Sequence, residues 1–236
     1  MKRAIVTGCT SGIGREICLK LMEAGYFVYG IGRDFSKISE IVNNSLFHAC
    51  ECDLKRHEQV ENCIKEIKAL IPKDEYVELL VNNAGVGYFG PHEQLKPSKI
   101  HELVAVNLEA PMIITSMLLR DLKKCEGTII NISSVTAKKS NTHGCAYGAS
   151  KAGLTSFGES LFDEVRKYGV RVVNVHPDMT KSNFYRNADF RQGDSEDTYL
   201  EAVEVAEQVM EIITIRKGIV ITDITIKPQK HQIVRK

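Results

Sequence analysis

"TGCTSGIG" occupies residues 7–14, and its reading decides the fold. The short β-branched run "RAIVT" (3–7) leads into it. Ile13, Ile17, Leu21 and Ala24 then recur at helical spacing until Gly25. Gly8, Gly12 and Gly14 therefore sit where a strand hands over to a helix. Glycine permits a sharp turn and a close approach of backbone to ligand. The N–H groups that open a helix face an anion such as a pyrophosphate. An ordinary strand–helix turn needs one glycine, so three in this context predict a phosphate cradle.

Outward from the cradle the chain alternates strand and helix. "YFVYGIG" (26–32) reads as the second strand, 34–44 as a short helix and "LFHACEC" (46–52) as the third strand. Residues 55–71 carry the stripe Val60, Ile64, Ile67 and Ile71, closed by Pro72. "VELLVNNAG" (77–85) is a buried strand running into a turn, and 97–123 is helical with an interruption near Pro111. "GTIINISS" (127–134) is a strand, 147–167 a helix, "GVRVVNV" (169–175) a strand, 202–215 a helix and "GIVITDITI" (218–226) the last strand. Strands apolar on both faces, each followed by a helix, predict a parallel sheet covered on both sides. Right-handed crossovers make it doubly wound, with about seven strands in one α/β domain over 1–236. The polar stretch 177–200, "PDMTKSNFYRNADFRQGDSEDTYL", fits neither element, and its length predicts a functional or mobile segment.

Composition narrows the function. The 236 residues carry a net charge of +1, which disfavours nucleic acid and an anionic membrane surface as partners. "MKRAIVTG" is too short for a signal peptide, and no apolar run approaches the ~20 residues that span a bilayer. Seven cysteines, at 9, 18, 50, 52, 63, 125 and 145, form neither a disulfide framework nor a zinc spacing. They predict reduced thiols in a cytoplasmic protein that uses no metal.

"YGASK" (147–151) supplies a possible acid–base device. Tyr147 and Lys151 are four apart and share a helix face. A phenol titrates near ~10. A neighbouring cation favours the phenolate, so Lys151 is expected to lower the Tyr147 pKa towards neutrality.

Taken together these stretches resemble the short-chain dehydrogenase/reductase family. The resemblance rests on Thr7–Gly14 with its Gly-x-x-x-Gly-x-Gly spacing, Asp53, Asn82-Asn83-Ala84-Gly85, Asn107, Ser134 and Tyr147-x-x-x-Lys151, in the family's order. It covers nearly the whole chain. It implies a single-domain Rossmann-type sheet in strand order 3-2-1-4-5-6-7. It also implies a catalytic set of Asn107, Ser134, Tyr147 and Lys151. In the family the tyrosine gives its proton to a carbonyl oxygen or takes it from an alcohol, and the lysine also binds the nicotinamide ribose. The serine hydrogen-bonds the developing oxyanion. The asparagine distorts its helix and holds a water that relays protons to the lysine.

The implied cofactor contacts are Gly8, Thr10, Ser11, Gly12, Ile13 and Gly14 in the cradle, with Arg33 beside the adenosine. Asp53 and Leu54 are expected at the adenine and Asn83, Ala84 and Gly85 along its ribose. Tyr147, Lys151, Pro177 and Ser182 complete the set. Where the family reads Pro-Gly this chain has Pro177-Asp178, with Ser182 offering a hydroxyl to the carboxamide or phosphate. Enzymes of this type that use NAD place an acid at the end of the second strand. Here Gly32 and Arg33 stand there, which favours NADP(H) over NAD(H).

The expected substrate is a small carbonyl or alcohol, under a lid of about 178–200. Tyr88, Phe89, His143, Phe184 and Tyr185 are candidate pocket walls, and His176 is read as structural. The resemblance further implies a homodimer or homotetramer packed through the helices that carry Asn107 and Tyr147. The alternative reading is a cofactor sensor or scaffold that keeps the fold without turnover, against which the complete set of four catalytic residues argues.

Overall fold

In the computed structural model, which describes all 236 residues, the cradle follows strand β1 (Arg3–Thr7) and opens helix α1 (Gly12–Glu23). β2 (Phe27–Gly32), β3 (Phe47–Glu51), β4 (Leu79–Asn82), β5 (Thr128–Ile132) and β6 (Arg171–Pro177) follow. β7 (Phe190–Gln192) is a short excursion, β8 (Asp223–Ile226) completes the main sheet, and β9 (Ile233–Arg235) lies near the chain's end. The seven-stranded sheet runs β3-β2-β1-β4-β5-β6-β8 and is parallel throughout, the expected Rossmann-type order.

Successive side chains in β1 point to opposite faces, as strand geometry requires. Ala4 and Val6 join a buried layer with Ile17 and Leu21 of α1 and Val205 and Val209 of α7 (Ala202–Thr214). Ile5 faces the other layer. It packs with Val60 and Ile64 of α3 (His57–Leu70), Ile114 and Leu118 of α5 (Ala110–Lys124) and Leu161 of α6 (Cys145–Val165).

Several boundaries differ from the sequence reading. The helix placed over 34–44 shrinks to α2 (Ser39–Val42), and the strand placed over 218–226 shrinks to β8. Pro111 does not interrupt the long helix. α4 (Pro97–Val104) passes through a π-turn at Ala105–Glu109 straight into α5, and Pro111 lies in the first turn of α5. At the end of the π-turn the Ala110 N–H donates to the Ala105 carbonyl, five residues back, and Pro111, which has no N–H, follows it. The resulting 28-residue helix is long and apolar enough to cross a membrane, but half of its most apolar stretch is buried inside the domain. Segment 177–200 is not irregular throughout. It holds short 3-10 turns at Asn183–Asn187 and Glu196–Thr198, and β7 pairs antiparallel with β9.

A ladder of buried amides crosses the middle of the sheet. Asn82 Nδ2 donates to Asn131 Oδ1 at 2.9 Å, and Asn131 Nδ2 to Asn174 Oδ1 at 3.1 Å. Asn174 Nδ2 in turn donates to the Thr155 carbonyl of α6 at 3.1 Å. This leaves no space at Gly158, where a Cβ would meet Asn174 Oδ1 and lie 2.7 Å from Asn131 Nδ2. Helix propensity alone makes Gly158→Ala stabilising by ~1 kcal/mol. Overpacking against the amides costs ~1–3 kcal/mol. The expected net result is a loss of about 1 kcal/mol, visible as a Tm lowered by roughly 2–4 °C. An unchanged or higher Tm in thermal denaturation would show that the ladder yields.

Candidate functional site

The cleft lies at the carboxyl edge of the sheet, where β1 and β4 end and α1 begins. Gly8 (φ 67°) and Gly12 (φ 54°) take left-handed backbone that favours glycine. A Cβ at Gly8 would lie 2.8 Å from the Ala84 backbone. Asn83 Nδ2 donates to the Thr7 and Gly8 carbonyls at 2.9 and 3.2 Å. Thr7 Oγ1 accepts from the backbone N–H groups of Asn83 and Ala84 at 3.0 and 2.9 Å.

Of the expected cofactor contacts, Gly8, Thr10, Ser11, Gly12, Ile13, Arg33, Asp53, Leu54, Asn83, Ala84, Gly85, Tyr147, Lys151, Pro177 and Ser182 line this one cleft. Gly14 does not. It is packed against Gly8 and Asn83, where any side chain would collide, so its place is structural. Arg33 lines the cleft and forms no ion pair, while its neighbour Asp34 accepts from the Ser36 backbone N–H at 2.9 Å. A Cβ at Gly32 would lie 2.6 Å from the Thr10 methyl group, so an acid there requires Thr10 to move. Ser182 sits over the cradle, 3.4 Å from where a Gly12 Cβ would be, and its Oγ accepts from the Phe184 backbone N–H at 3.3 Å. Asp178 caps its own turn by accepting from the Met179 N–H at 2.9 Å.

The four expected catalytic residues are all buried. Ser134 lies two residues beyond β5, in extended backbone, and caps the turn at Val135–Ala137. Its Oγ accepts from Thr136 N at 3.2 Å and from Thr136 Oγ1 at 3.0 Å. With both lone pairs taken, the Ser134 O–H is left to donate. Tyr147 is oriented by α6 so that its phenol meets that hydroxyl. Lys151 Nζ donates to the Ile132 carbonyl at 2.7 Å. Asn107 lies in the π-turn, just outside the cleft lining. Its Nδ2 donates to the Val86 carbonyl and to Ser150 Oγ at 2.9 and 3.0 Å, while its Oδ1 accepts from Val86 N at 2.8 Å. Gly85 adjoins both Asn107 Oδ1 and Lys151 Nζ.

The electrostatics depart from the sequence expectation. Burial pushes the Tyr147 phenol up to about 12, with the Ser134 hydroxyl pulling the other way. Burial brings the Lys151 ammonium down to about 8. Within the polypeptide alone, desolvation sets the direction of both shifts. Both groups hold their protons at neutral pH.

Aromatic rings roof the tyrosine. Phe89 and Phe184 lie 5.5 and 5.6 Å from the Tyr147 ring centre, and Tyr185 and Phe190 continue the cluster. Of the expected pocket walls, Tyr88 and His143 are elsewhere. Tyr88 OH donates to Glu102 at 2.8 Å on α4, and His143 is exposed in a left-handed turn. The β7–β9 pair ties this roof down, and Lys236 Nζ donates to the Tyr185 carbonyl at 2.8 Å.

Sequence reasoning missed Thr136, Ser150 and the β9 strap. Ser-x-Thr at a strand end signals a side-chain turn and points to Thr136. Ser150 donates to the Tyr147 carbonyl at 2.7 Å and is one of several polar residues on the buried side of α6. No local signal marks β9, whose partner lies some forty residues away.

The short chain dehydrogenase family model matches residues 2–192. A probable NADP-dependent dehydrogenase from Haemophilus influenzae is 33% identical over 215 residues, covering 89% of this chain and 81% of that protein. An NADPH-dependent 3-dehydrocapnine reductase from Ornithobacterium rhinotracheale is 31% identical, covering 80% of this chain and 69% of that one. The crystal structure of a metagenomic short-chain oxidoreductase in complex with NADP superposes with a TM-score of 0.81 at 30% identity. It covers 96% of this chain and 97% of the other. A phosphate cradle, a buried Ser-Tyr-Lys cluster at the sheet's carboxyl edge and a family match over most of its length agree: the chain belongs to the short-chain dehydrogenase family.

Proposed function

We propose that the protein is an NADP(H)-dependent oxidoreductase that interconverts a small carbonyl compound and its secondary alcohol. The carrying observation is the convergence of two O–H donors. Thr136 donates twice to Ser134 Oγ, which leaves the Ser134 O–H free to donate, and burial keeps the neighbouring Tyr147 phenol protonated, so two O–H donors line one cleft. That arrangement stabilises a carbonyl oxygen as negative charge develops on it. Tyr147 transfers its proton to that oxygen in reduction and recovers it in oxidation.

The cradle fits a nicotinamide dinucleotide. Left-handed Gly8 and Gly12 bring backbone within reach of a pyrophosphate, the start of α1 offers N–H groups, and Asp53 and Leu54 wall the adenosine end. The bound cofactor supplies or accepts the hydride. Lys151 would hold the ribose hydroxyls, Asn107 fixes the Val86 turn through its N–H and carbonyl, and the aromatic segment 178–200 would shut out water. Arg33 is the unpaired cation suited to a 2′-phosphate. A second copy of the chain packs through α4–α6, where Val104 (45% exposed) and Met112 (41%) face outward.

Three measurements test this reading. Tyr147→Phe keeps the ring packing and loses the proton donor, so kcat falls roughly 10²- to 10⁴-fold while NADPH still binds. Undiminished kcat on any accepted ketone in an NADPH absorbance assay would refute the acid–base assignment. Arg33→Ala lowers kcat/KM for NADPH about 10- to 100-fold and leaves NADH nearly unchanged. Equal weakening of both cofactors, or a parent enzyme that prefers NADH, would remove Arg33 from the phosphate site. Light scattering at micromolar concentration is expected to give the mass of a dimer or tetramer, and a monomer mass would rule out the assembly.

A further inference from the structure

Behind Ser134 stands a group of side chains that the chemistry above does not use. His176 on β6 is fully buried. Its Nδ1 lies 3.1 Å from the Ser134 carbonyl oxygen, and its Nε2 lies 2.6 Å from Asp223 Oδ2 on β8. In the β6–β8 register Asp223 lies opposite Asn174, so His176 reaches it one diagonal step along the same face. Lys138 Nζ bonds the other Asp223 oxygen and also donates to Thr225 Oγ1 at 3.3 Å. Partial burial pushes the Asp223 carboxyl up, but Lys138 and His176 outweigh it and hold the group below the ordinary carboxylate range. A peptide carbonyl and an ionised carboxylate can only accept hydrogen bonds. Each ring nitrogen therefore stands beside an acceptor.

We infer that His176 is a positioning residue for Ser134, and that Asp223 orients it. Ser134 has two anchors. Thr136 holds its side-chain oxygen, while His176 and the Ala137 N–H (3.0 Å) hold its carbonyl. The Ala137 bond is local to the turn and moves with it. His176 alone ties that carbonyl to β6 and, through Asp223, to β8. The imidazole–carboxylate pair therefore fixes the angle at which the turn carries the Ser134 O–H towards Tyr147. Without it the turn is free to rock, and a displacement of about 1 Å at such a site costs roughly 100-fold in rate. The inference rests on the reading of Ser134 as the oxyanion donor.

The experiment is a double-mutant cycle of Ser134→Ala and His176→Ala, reading kcat together with NADPH affinity from cofactor fluorescence. His176→Ala is expected to lower kcat about 10- to 100-fold with NADPH affinity unchanged, and to cost nothing further in the Ser134→Ala background. His176→Asn, which keeps a donor where Nδ1 stands, recovers most of the loss and serves as the probe should His176→Ala not fold. Asp223→Asn retains more activity than Asp223→Ala. Independently of turnover, the 15N resonance of Val135, whose peptide contains the Ser134 carbonyl, shifts upfield in His176→Ala. Additive losses, a parallel fall in NADPH affinity or an unmoved Val135 resonance would overturn the positioning role. If Ser134→Ala keeps full kcat, the oxyanion reading itself fails. If it is impaired while His176→Ala is normal, only the positioning role fails.

Discussion

One hydroxyl holds the two halves of the cleft together. Thr7 Oγ1, at the end of β1, accepts from two consecutive N–H groups at the end of β4. The Asn83 side chain returns the bond to the Thr7 and Gly8 carbonyls. The turn after β1 and the turn after β4 are thereby one rigid unit, and no water is needed to satisfy it. Gly8 and Gly14 must be bare because Asn83 and Ala84 are already against them. The cradle is therefore shaped as much by what presses on it from behind as by what it would grip in front.

The same economy governs the groups proposed to react. Each group in the cluster is held by a fixed neighbour: Thr136 donates to Ser134 Oγ, Val86 N–H donates to Asn107 Oδ1, and Lys151 Nζ donates to the Ile132 carbonyl. What remains unfilled is directional, namely the hydrogens aimed into the cleft. Preorganisation of this kind places fixed dipoles where charge will appear and requires no reorientation when it does. The aromatic roof makes those dipoles count by lowering the local dielectric, and it also accounts for the raised Tyr147 pKa.

Much of this was legible in the sequence because it depends on short-range patterns. Strand–Gly-rich turn–helix, the Tyr147/Lys151 spacing and the alternation of apolar strands with amphipathic helices are local, and they place the sheet and the cleft. Harder to read were features decided by distant partners. Phe89 roofs Tyr147 whereas its neighbour Tyr88 turns to Glu102, a choice set by α4 and not by either aromatic residue. The direction of the Tyr147 shift depends on how dry the site is, which needs Phe89 and Phe184 in place. Likewise β7 exists only because β9 comes back to it.

The burial of Lys151 has a thermodynamic consequence for the domain as a whole. Its pKa is about 8 in the folded chain against an ordinary 10.5, so between those values the unfolded chain binds a proton that the folded chain does not. Unfolding then takes up a proton, and the contribution of this residue to stability rises with pH across that window. Tyr147 acts in the opposite sense. Folded, it keeps its proton to about 12, whereas unfolded it loses it near 10, so its contribution falls as pH climbs from 10 to 12. The two slopes meet close to pH 10, well above neutrality. At neutral pH, where the proposed chemistry operates, the domain holds a desolvated ammonium at the expense of its own fold, and the rest of the sheet must be stable enough to carry it.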